Sequence, residues 1–287
     1  VGDNPPPGAI INYYFKTASK DEVKLEIVDS AGKVVRTLSS KEKKGDEQPP
    51  EWPDQVKEVT TIPAAAGMNR YAWNLRWEPP VKIPGAFYSD VGPQGPLVQP
   101  GQYTIKLTAG KQSVSQPLEI VTDPRTKNVN PDDLRKQFEL AVQVNEANKD
   151  LHRAVNQVRT MRAEIKAVQQ RFDNDPKMKA LLEQAAALDK KMAPVEEHLI
   201  QVNMKGSEAN LAFPNMLNEE LDSFSAIVQA GDSAPSAQQY EVFKMLRSQL
   251  DQQLAAWKQL MSTDVPAFNE AMKNSNTPAL YLPPEGE

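Results

Sequence analysis

The sequence contains no cysteine and only two histidines among its 287 residues. Without cysteine, the chain cannot form a disulfide, a thiolate nucleophile or a cysteine-ligated metal site. A chain of this kind fits a reducing compartment, and it equally fits a secreted protein large enough to fold without disulfides. The absence of cysteine therefore excludes thiol-based chemistry but does not indicate the cellular compartment.

Catalytic motifs and long apolar runs are also missing. No apolar run approaches the roughly 20 residues that a transmembrane helix needs. No Walker, dinucleotide-glycine or G-x-S-x-G pattern occurs, and no carboxylate pair stands out at the separation used by glycosidases. We therefore expect no catalytic residue, no cofactor and no membrane insertion.

The two histidines and one acidic triplet are the candidate metal ligands. His152 and His198 each lie beside a helical apolar stripe, and neither has a second ligand four residues further on. This favours ordinary boundary histidines over metal ligands. Asp173-Asn174-Asp175 resembles the start of a calcium loop but lacks the following glycine and the distal Glu, so helix capping is favoured. We expect no metal site.

Charge is spread unevenly along the chain. The net charge is -5, with +1 in residues 1–127 and -6 in residues 128–287. An acidic segment is unsuited to a phosphate backbone, so we expect no nucleic-acid partner.

The hydrophobic period changes near Asp123-Pro124-Arg125. Apolar residues alternate at every second position before this point and recur every three or four positions after it. The pattern predicts a multi-domain β + α chain, with an immunoglobulin-like antiparallel β-sandwich at 9–125 and an elongated antiparallel four-helix bundle at 128–275. Residues 1–8 are predicted to be a linker and 276–287 a tail.

Turn signals separate the predicted strands. Asp29-Ser30-Ala31-Gly32 and Ala109-Gly110-Lys111 are typical of hairpin turns. A further hairpin is predicted across residues 63–67. The predicted strand segments are Ala9–Lys16, Val23–Ile27, Val34–Leu38, Val56–Ile62, Met68–Trp77, Tyr103–Leu107 and Val114–Val121.

Capping residues place four helices. The first is predicted to follow Asn130 and to end near Phe172, and the second to follow Asp175-Pro176. The third covers about Pro214–Gln229, and the fourth opens at the capping box that begins at Ser236. Leu188 and Leu250 lie in the middle of apolar stripes, so we expect both to be buried. The stripe of the fourth helix runs from Tyr240 to Met272, and Pro194 and Pro266 are expected to kink their helices.

Two loops are long for a compact domain and carry aromatic residues. Ser39–Asp54 includes Trp52, and Glu78–Pro100 includes Phe87 and Tyr88. Together with Trp77, these aromatics are candidates for docking a partner or for stacking on a sugar ring. The favoured alternative is that the loops fold back over a sheet edge or dock within the same polypeptide.

The first residues have the composition of a linker. The sequence begins at Val1, and Asn4-Pro5-Pro6-Pro7-Gly8 follows shortly after. We expect the chain to be a processed or excised fragment, with another segment before it in the parent protein.

Four stretches carry a family resemblance, and they keep the same order as in the family. They are Asn4–Ala9, Gly67–Arg76, Gly95–Tyr103 and Ser233–Phe243. In these stretches the chain resembles the C-terminal region of large bacterial exported proteins with BNR repeats, which are sialidase- or sortilin-like β-propeller proteins often labelled glycosyl hydrolases. The strand-rich half is also similar to the immunoglobulin-like domain of flagellar hook-capping proteins, which implies fold only.

The resemblance implies export and an upstream propeller that carries the Asp-box repeats and any glycosidase residues. The expected function is therefore a non-catalytic structural or interaction region that braces the propeller or presents a partner surface. One alternative is a carbohydrate-binding module that uses the loop aromatics. The second is a part of a glycoside hydrolase whose catalytic residues lie in the propeller.

Overall fold

A computed structural model describes residues 8–42, 61–88, 92–126, 129–206, 209 and 211–283. It shows a mixed β + α protein with two antiparallel sheets followed by four helical runs. The last strand ends at Ile120 and the first helix begins at Pro131. The predicted succession of strands and then helices is confirmed.

Six strands are seen in the described part of the chain. The first, β1, pairs with β4 in a two-stranded sheet, and the other strands form a four-stranded sheet in the order β3-β2-β5-β6. The strands are β1 Ala9–Phe15, β2 Val23–Asp29, β3 Val34–Ser39, β4 Gly67–Trp73, β5 Gly101–Ala109 and β6 Gln112–Ile120.

The turn between β2 and β3 has the predicted chemistry. The Asp29 carboxylate accepts hydrogen bonds from the backbone N–H groups of Ala31 and Lys33, both at 2.9 Å. Gly32 has a φ of 82°, a left-handed conformation that glycine adopts without steric cost. The predicted hairpin at this turn is confirmed.

The pairing of β4 is a long-range contact. Its antiparallel register with β1 places Tyr14 opposite Met68 and Tyr13 opposite Asn69. The Asn69 side chain accepts from the backbone N–H of Ala65 and donates to the carbonyl of the same residue, which shapes the preceding turn. The segment Val56–Ile62, which was predicted to form a hairpin with the strand now called β4, lies mostly outside the described residues.

One apolar core contains side chains from both sheets. The two-stranded sheet contributes buried residues such as Ile11 and Trp73, and the four-stranded sheet contributes Leu25 and Ile27, which are fully buried. Because successive side chains of a strand point to opposite faces of the sheet, these apolar residues lie on one face and the polar residues between them lie on the other. The rest of this core is Tyr13, Val23, Val35, Leu38, Ile62, Val98 and Tyr103.

The first two helical segments begin where their caps predict, whereas the third begins at Leu217, three residues after the predicted Pro214. Asn130 accepts a hydrogen bond from the backbone N–H of Asp132 at 3.0 Å, and Asp175 accepts from that of Lys177 at 2.9 Å. The helices are α1 Pro131–Phe172, α2 Lys179–Leu199, α3 Leu217–Val228, α4 Ala237–Gln259 and α5 Val265–Asn274, with a 3₁₀ turn at Pro176–Met178. Asp175 thus caps a helical turn, as its position predicted.

A π turn joins α4 to α5 in one helical run. It covers Leu260–Asp264 and ends two residues before Pro266, which has no N–H to donate to the helical ladder. The hydroxyls of Ser262 and Thr263 donate to the carbonyl of Gln259. The expected disruption at Pro266 therefore takes the form of a widened turn. Pro194, the second proline that was expected to kink a helix, is exposed on α2.

The chain divides into two compact units. The first contains the described residues of Val1–Pro80, Pro93–Asn145 and Ile227–Ser236, and the second those of Val81–Gly92, Glu146–Ala226 and Ala237–Glu287. The first unit thus holds all six strands and the beginning of α1. Whether 9–125 and 128–275 fold independently stays a prediction.

In the second unit, α2 packs against both α4 and α5. Leu188 of α2 is 4% exposed and Leu250 of α4 is fully buried, which confirms their predicted positions in the core. Tyr240 is 43% exposed, so the buried part of the predicted apolar stripe begins only at Leu246, and beyond that point Leu254 and Met261 are half-buried.

Candidate functional site

The structure gives positions for three of the four candidate aromatics, since Trp52 lies outside the described residues. Trp77 belongs to the first unit and is half-buried. Its ring meets Phe138 of α1 edge to face, with 5.2 Å between the centroids, and the ammonium of Lys33 lies 4.4 Å from its centroid. Trp77 therefore makes both an aromatic and a cation–π contact within its own unit.

Phe87 and Tyr88 belong to the second unit, and both are half-buried. The Tyr88 ring stacks on the ring of His152, a residue of α1, with an interplanar angle of 21° and 6.3 Å between the centroids. The Tyr88 hydroxyl also lies 3.1 Å from Nε2 of His152. The loop aromatic thus packs against a helix of its own unit.

Three side chains of α1 hold the backbone of this loop. His152, Asn156 and Arg159 are spaced by four and three residues, which places them on one face of the helix. They donate hydrogen bonds to the carbonyls of Val81, Lys82 and Pro84, respectively. Between these contacts, the loop buries Ile83 and Ala86, which are 1% and 5% exposed. Polar and apolar contacts therefore dock residues 81–88 on α1.

The hydrogen bonds of His152 define its tautomer. The carbonyl of Val81 can only accept, so Nδ1 of His152 carries the hydrogen, and Nε2 accepts from the Tyr88 hydroxyl. His152 is 2% exposed, more buried than the predicted boundary position, and this burial lowers its pKa to about 4. Burial likewise raises the pKa of Tyr88 well above its usual range. At pH 7 both groups are therefore neutral.

An ion cluster lies on the faces of α1 and α2 in the same unit. Glu196 is 6% exposed and accepts from Nε of Arg159 and from Nη1 of Arg162, both at 2.7 Å. Arg162 also donates to Asp189, and the hydrogen bonds with Asp189 and Glu196 raise the pKa of Arg162. The buried carboxylate of Glu196 is thus compensated by two guanidinium groups, one of which also holds the loop.

A cavity of about 420 Å³ opens beside the docked loop, within the second unit. Phe87 lines it from the loop, Arg159 from α1, and Asn218 and Glu219 from the first turn of α3. Asn218 is 2% exposed, and its Oδ1 atom is buried without a hydrogen-bond partner in the described part of the chain. The cavity therefore combines an aromatic wall with charged and amide groups.

The described residues contain no group of three or more His, Cys, Asp or Glu side chains that could hold a metal ion. Among the described helices, none has the length and apolar character needed to cross a bilayer. His198 is exposed, and its Nδ1 lies 2.6 Å from the carbonyl of Pro194 on its own helix.

Comparison with protein-family models finds no match for the chain, and comparison with curated proteins finds none either.

The sequence did not identify Asn156, Arg159 or Asn218 as functional residues. The i, i+4, i+7 spacing of His152, Asn156 and Arg159 was a visible signal, because it lines up three polar groups beside an apolar stripe. Their partners are backbone carbonyls, which no side-chain pattern reveals. The unpartnered oxygen of Asn218 can be recognised only in the folded chain.

Proposed function

We propose that this chain is a non-catalytic structural and interaction region of an exported β-propeller protein. The observation that carries the proposal is the docking of the loop aromatic Tyr88 on His152 inside the second unit. The propeller and the export come from the resemblance to BNR-repeat proteins.

The contacts of the aromatics support a structural role over sugar stacking. A sugar-binding platform needs an accessible aromatic face. The Tyr88 ring lies against His152 and its hydroxyl is hydrogen bonded, while the Trp77 ring is contacted by Phe138 and Lys33. Both nitrogens of His152 are also engaged, which leaves neither lone pair nor proton for general acid–base chemistry.

The proposed architecture is a β-sandwich followed by a four-helix bundle. Burial of side chains from both sheets in one core supports the sandwich. Packing of α2 against α4 and α5, together with the ion cluster on α1 and α2, supports the bundle.

The proposed partner surface is the outer face of β1 and β4. Tyr14 is 65% exposed and Met68, which lies opposite it, is 72% exposed. Ile10 on the same face is 44% exposed, whereas Ile11 and Tyr13 point to the core. Neighbouring exposed apolar residues are typical of protein contact sites. We assign this face to the upstream propeller, because the resemblance places a propeller before β1.

Two measurements test the proposal. The upstream reading frame is expected to encode Asp-box repeats. The propeller that it encodes, purified separately, is expected to bind this chain saturably in isothermal titration calorimetry, and Tyr14→Ala with Met68→Ala to weaken that binding by about tenfold or more. Both side chains are largely exposed, so the variant is expected to retain its melting temperature.

A matched control uses exposed residues elsewhere. Tyr281 and Val114 are each 63% exposed, and changing both to Ala should leave propeller binding unchanged. An upstream sequence without the repeats, or binding that survives the Tyr14/Met68 change, contradicts the proposal. The proposal that the chain is non-catalytic is overturned if the purified chain hydrolyses a glycoside and loses this activity when a carboxylate is mutated. Saturable oligosaccharide binding that depends on Trp77 would favour the carbohydrate-binding alternative.

A further inference from the structure

The two outer strands of the four-stranded sheet differ in their surroundings. On one side, loop residues bond to β3: the Val35 carbonyl accepts from the backbone N–H of Glu78 at 2.8 Å, and the Ser39 carbonyl accepts from that of Ile62 at 3.0 Å. On the other side, β6 pairs only with β5 in the described part of the chain, and residues 112–117 are all exposed. The edge of β6 therefore offers backbone N–H and C=O groups to another strand.

The turn between β5 and β6 determines which backbone groups point outward. A two-residue turn begins at Gly110, whose φ of 56° suits the first position of a type II′ turn. The flanking residues, Ala109 and Gln112, therefore form a hydrogen-bonded pair, and such pairs alternate along the ladder with non-hydrogen-bonded pairs. The N–H and C=O groups of Ser113 and Ser115 consequently point away from β5, toward the open edge.

Pro117 limits how far another strand can pair with this edge. It lies opposite Thr104 in a non-hydrogen-bonded pair, so its missing N–H removes no bond to β5 but leaves the open edge without a donor at this point. The preceding residues, 112–116, carry no charge, although charged side chains are a usual protection of an open edge. The segment available for pairing is therefore uncharged and ends before Pro117.

The sequence of this segment is symmetric, which favours a second copy of the same chain as the pairing strand. Gln-Ser-Val-Ser-Gln, residues 112–116, reads the same in both directions around Val114. In an antiparallel pairing with a twofold axis at Val114, Ser113 of each copy lies opposite Ser115 of the other. Both of these are hydrogen-bonded pairs, because the backbone groups of the two serines face the edge. A register shifted toward the end of β6 would include Pro117 and lose a donor.

We propose that β6 pairs antiparallel with β6 of a second copy of this chain, around a twofold axis at Val114, and joins the two four-stranded sheets into one. Val114, which is 63% exposed, then lies against Val114 of the second copy in a closely spaced, non-hydrogen-bonded pair. Half-buried Leu107 lies opposite Val114 on β5, so the apolar row continues across the axis. Lys111 of one copy and Glu119 of the other lie at the same end of the pairing and have opposite charges. This contact is independent of the proposed propeller contact on β1 and β4.

Sedimentation velocity of the full chain tests the dimer. The contact is small, so we expect the 31.9 kDa monomer at about 1 µM and mostly dimer at about 1 mM. Val114→Lys opposes two ammonium groups at the axis and is expected to remain monomeric at both concentrations. The matched control Val121→Lys changes a 69% exposed valine just beyond β6 and is expected to dimerise like the wild type. A dimer in Val114→Lys overturns the proposal. A wild type that stays monomeric also overturns it, and leaves the edge to a strand of another protein.

Single cysteines test the register, because the chain has no cysteine of its own. Val114→Cys places two thiols at the axis, where the Cα atoms of a non-hydrogen-bonded pair are about 4.5 Å apart. Gln116→Cys separates the thiols by four residues along the strands, about 13 Å, beyond the roughly 7 Å between Cα atoms that a disulfide can span. Under mild oxidation at about 1 mM protein, Val114→Cys is expected to form a disulfide-linked dimer at least about tenfold faster than Gln116→Cys. Equal rates in the two variants, or no link in either, overturn the proposed pairing.

Discussion

At the scale of single residues, His152 shows how a titratable side chain can serve structure. Its ring is buried, donates from Nδ1 to a loop carbonyl and accepts at Nε2 from Tyr88. The contact with Tyr88 needs the neutral ring, since a protonated Nε2 could not accept, and burial of the ring also disfavours a charge. Protonation of His152 therefore opposes the docking of the loop.

The first prediction concerns pH. The folded-state pKa of His152 is about 4, below its ordinary value of 6.5. Between these values the unfolded chain binds a proton that the folded chain does not, so this residue's contribution to stability falls as pH falls from 6.5 to about 4 and then levels off. The loss is on the order of 3 kcal/mol.

Urea unfolding of the wild type and of His152→Asn, from pH 7 to pH 4, measures this contribution. Asn retains an N–H donor for the Val81 carbonyl but does not titrate. Carboxylates titrate in both proteins, so the difference between the two curves isolates His152. If the free energy of unfolding had the same pH dependence in the wild type and in His152→Asn, the assigned burial of His152 would be contradicted. In a His198→Asn background, one histidine remains for direct titration by NMR.

At the scale of elements, local signals predicted the helices better than the strand pairing. Asn130 and Asp175 cap helical turns because each satisfies a backbone N–H nearby in sequence, and such bonds can be read from residue types. The pairing of β1 with β4 joins residues more than 50 positions apart, such as Tyr14 and Met68. Alternation identified both strands, but it carries no information about which strands become neighbours.

The second prediction tests the helical core. Leu188→Ala and Leu250→Ala each empty a buried position and are expected to lower the free energy of unfolding by about 2–5 kcal/mol. Glu183→Ala and Gln252→Ala, which change exposed residues on the same two helices, are expected to stay within about 0.5 kcal/mol. Urea unfolding monitored by circular dichroism measures all four. A leucine variant as stable as its control would show that the stripe is wrongly assigned.

At the scale of the whole molecule, the change of hydrophobic period predicted the order of strands and helices. It did not predict the membership of the two compact units. The segment 81–92 follows β4 in sequence yet belongs to the second unit, and 227–236, which begins with the last two residues of α3, belongs to the first. These assignments rest on contacts such as Asn156 with the Lys82 carbonyl, which periodicity cannot encode. The cavity was missed for the same reason, because its lining comes from distant segments.

The third prediction follows from the docked loop. A fragment of residues 128–283 lacks the segment that covers His152, Asn156 and Arg159, so we expect it to fold with a lower melting temperature than the complete chain. A synthetic peptide of residues 79–88, added in excess, is expected to raise that temperature by mass action. The same peptide with Ile83→Asp should fail, because it would bury a carboxylate. No response to the unaltered peptide would contradict docking through these contacts.

The most direct test of the central claim is hydrogen exchange of the complete chain, with and without the upstream propeller. We expect the propeller to slow backbone exchange in β1 and β4, next to Tyr14 and Met68, and to leave exchange at residues 81–88 unchanged, because this loop is already docked within its own unit. Slower exchange at residues 81–88 with no change in β1 and β4 would contradict the account, since the loop aromatics would then form the partner surface.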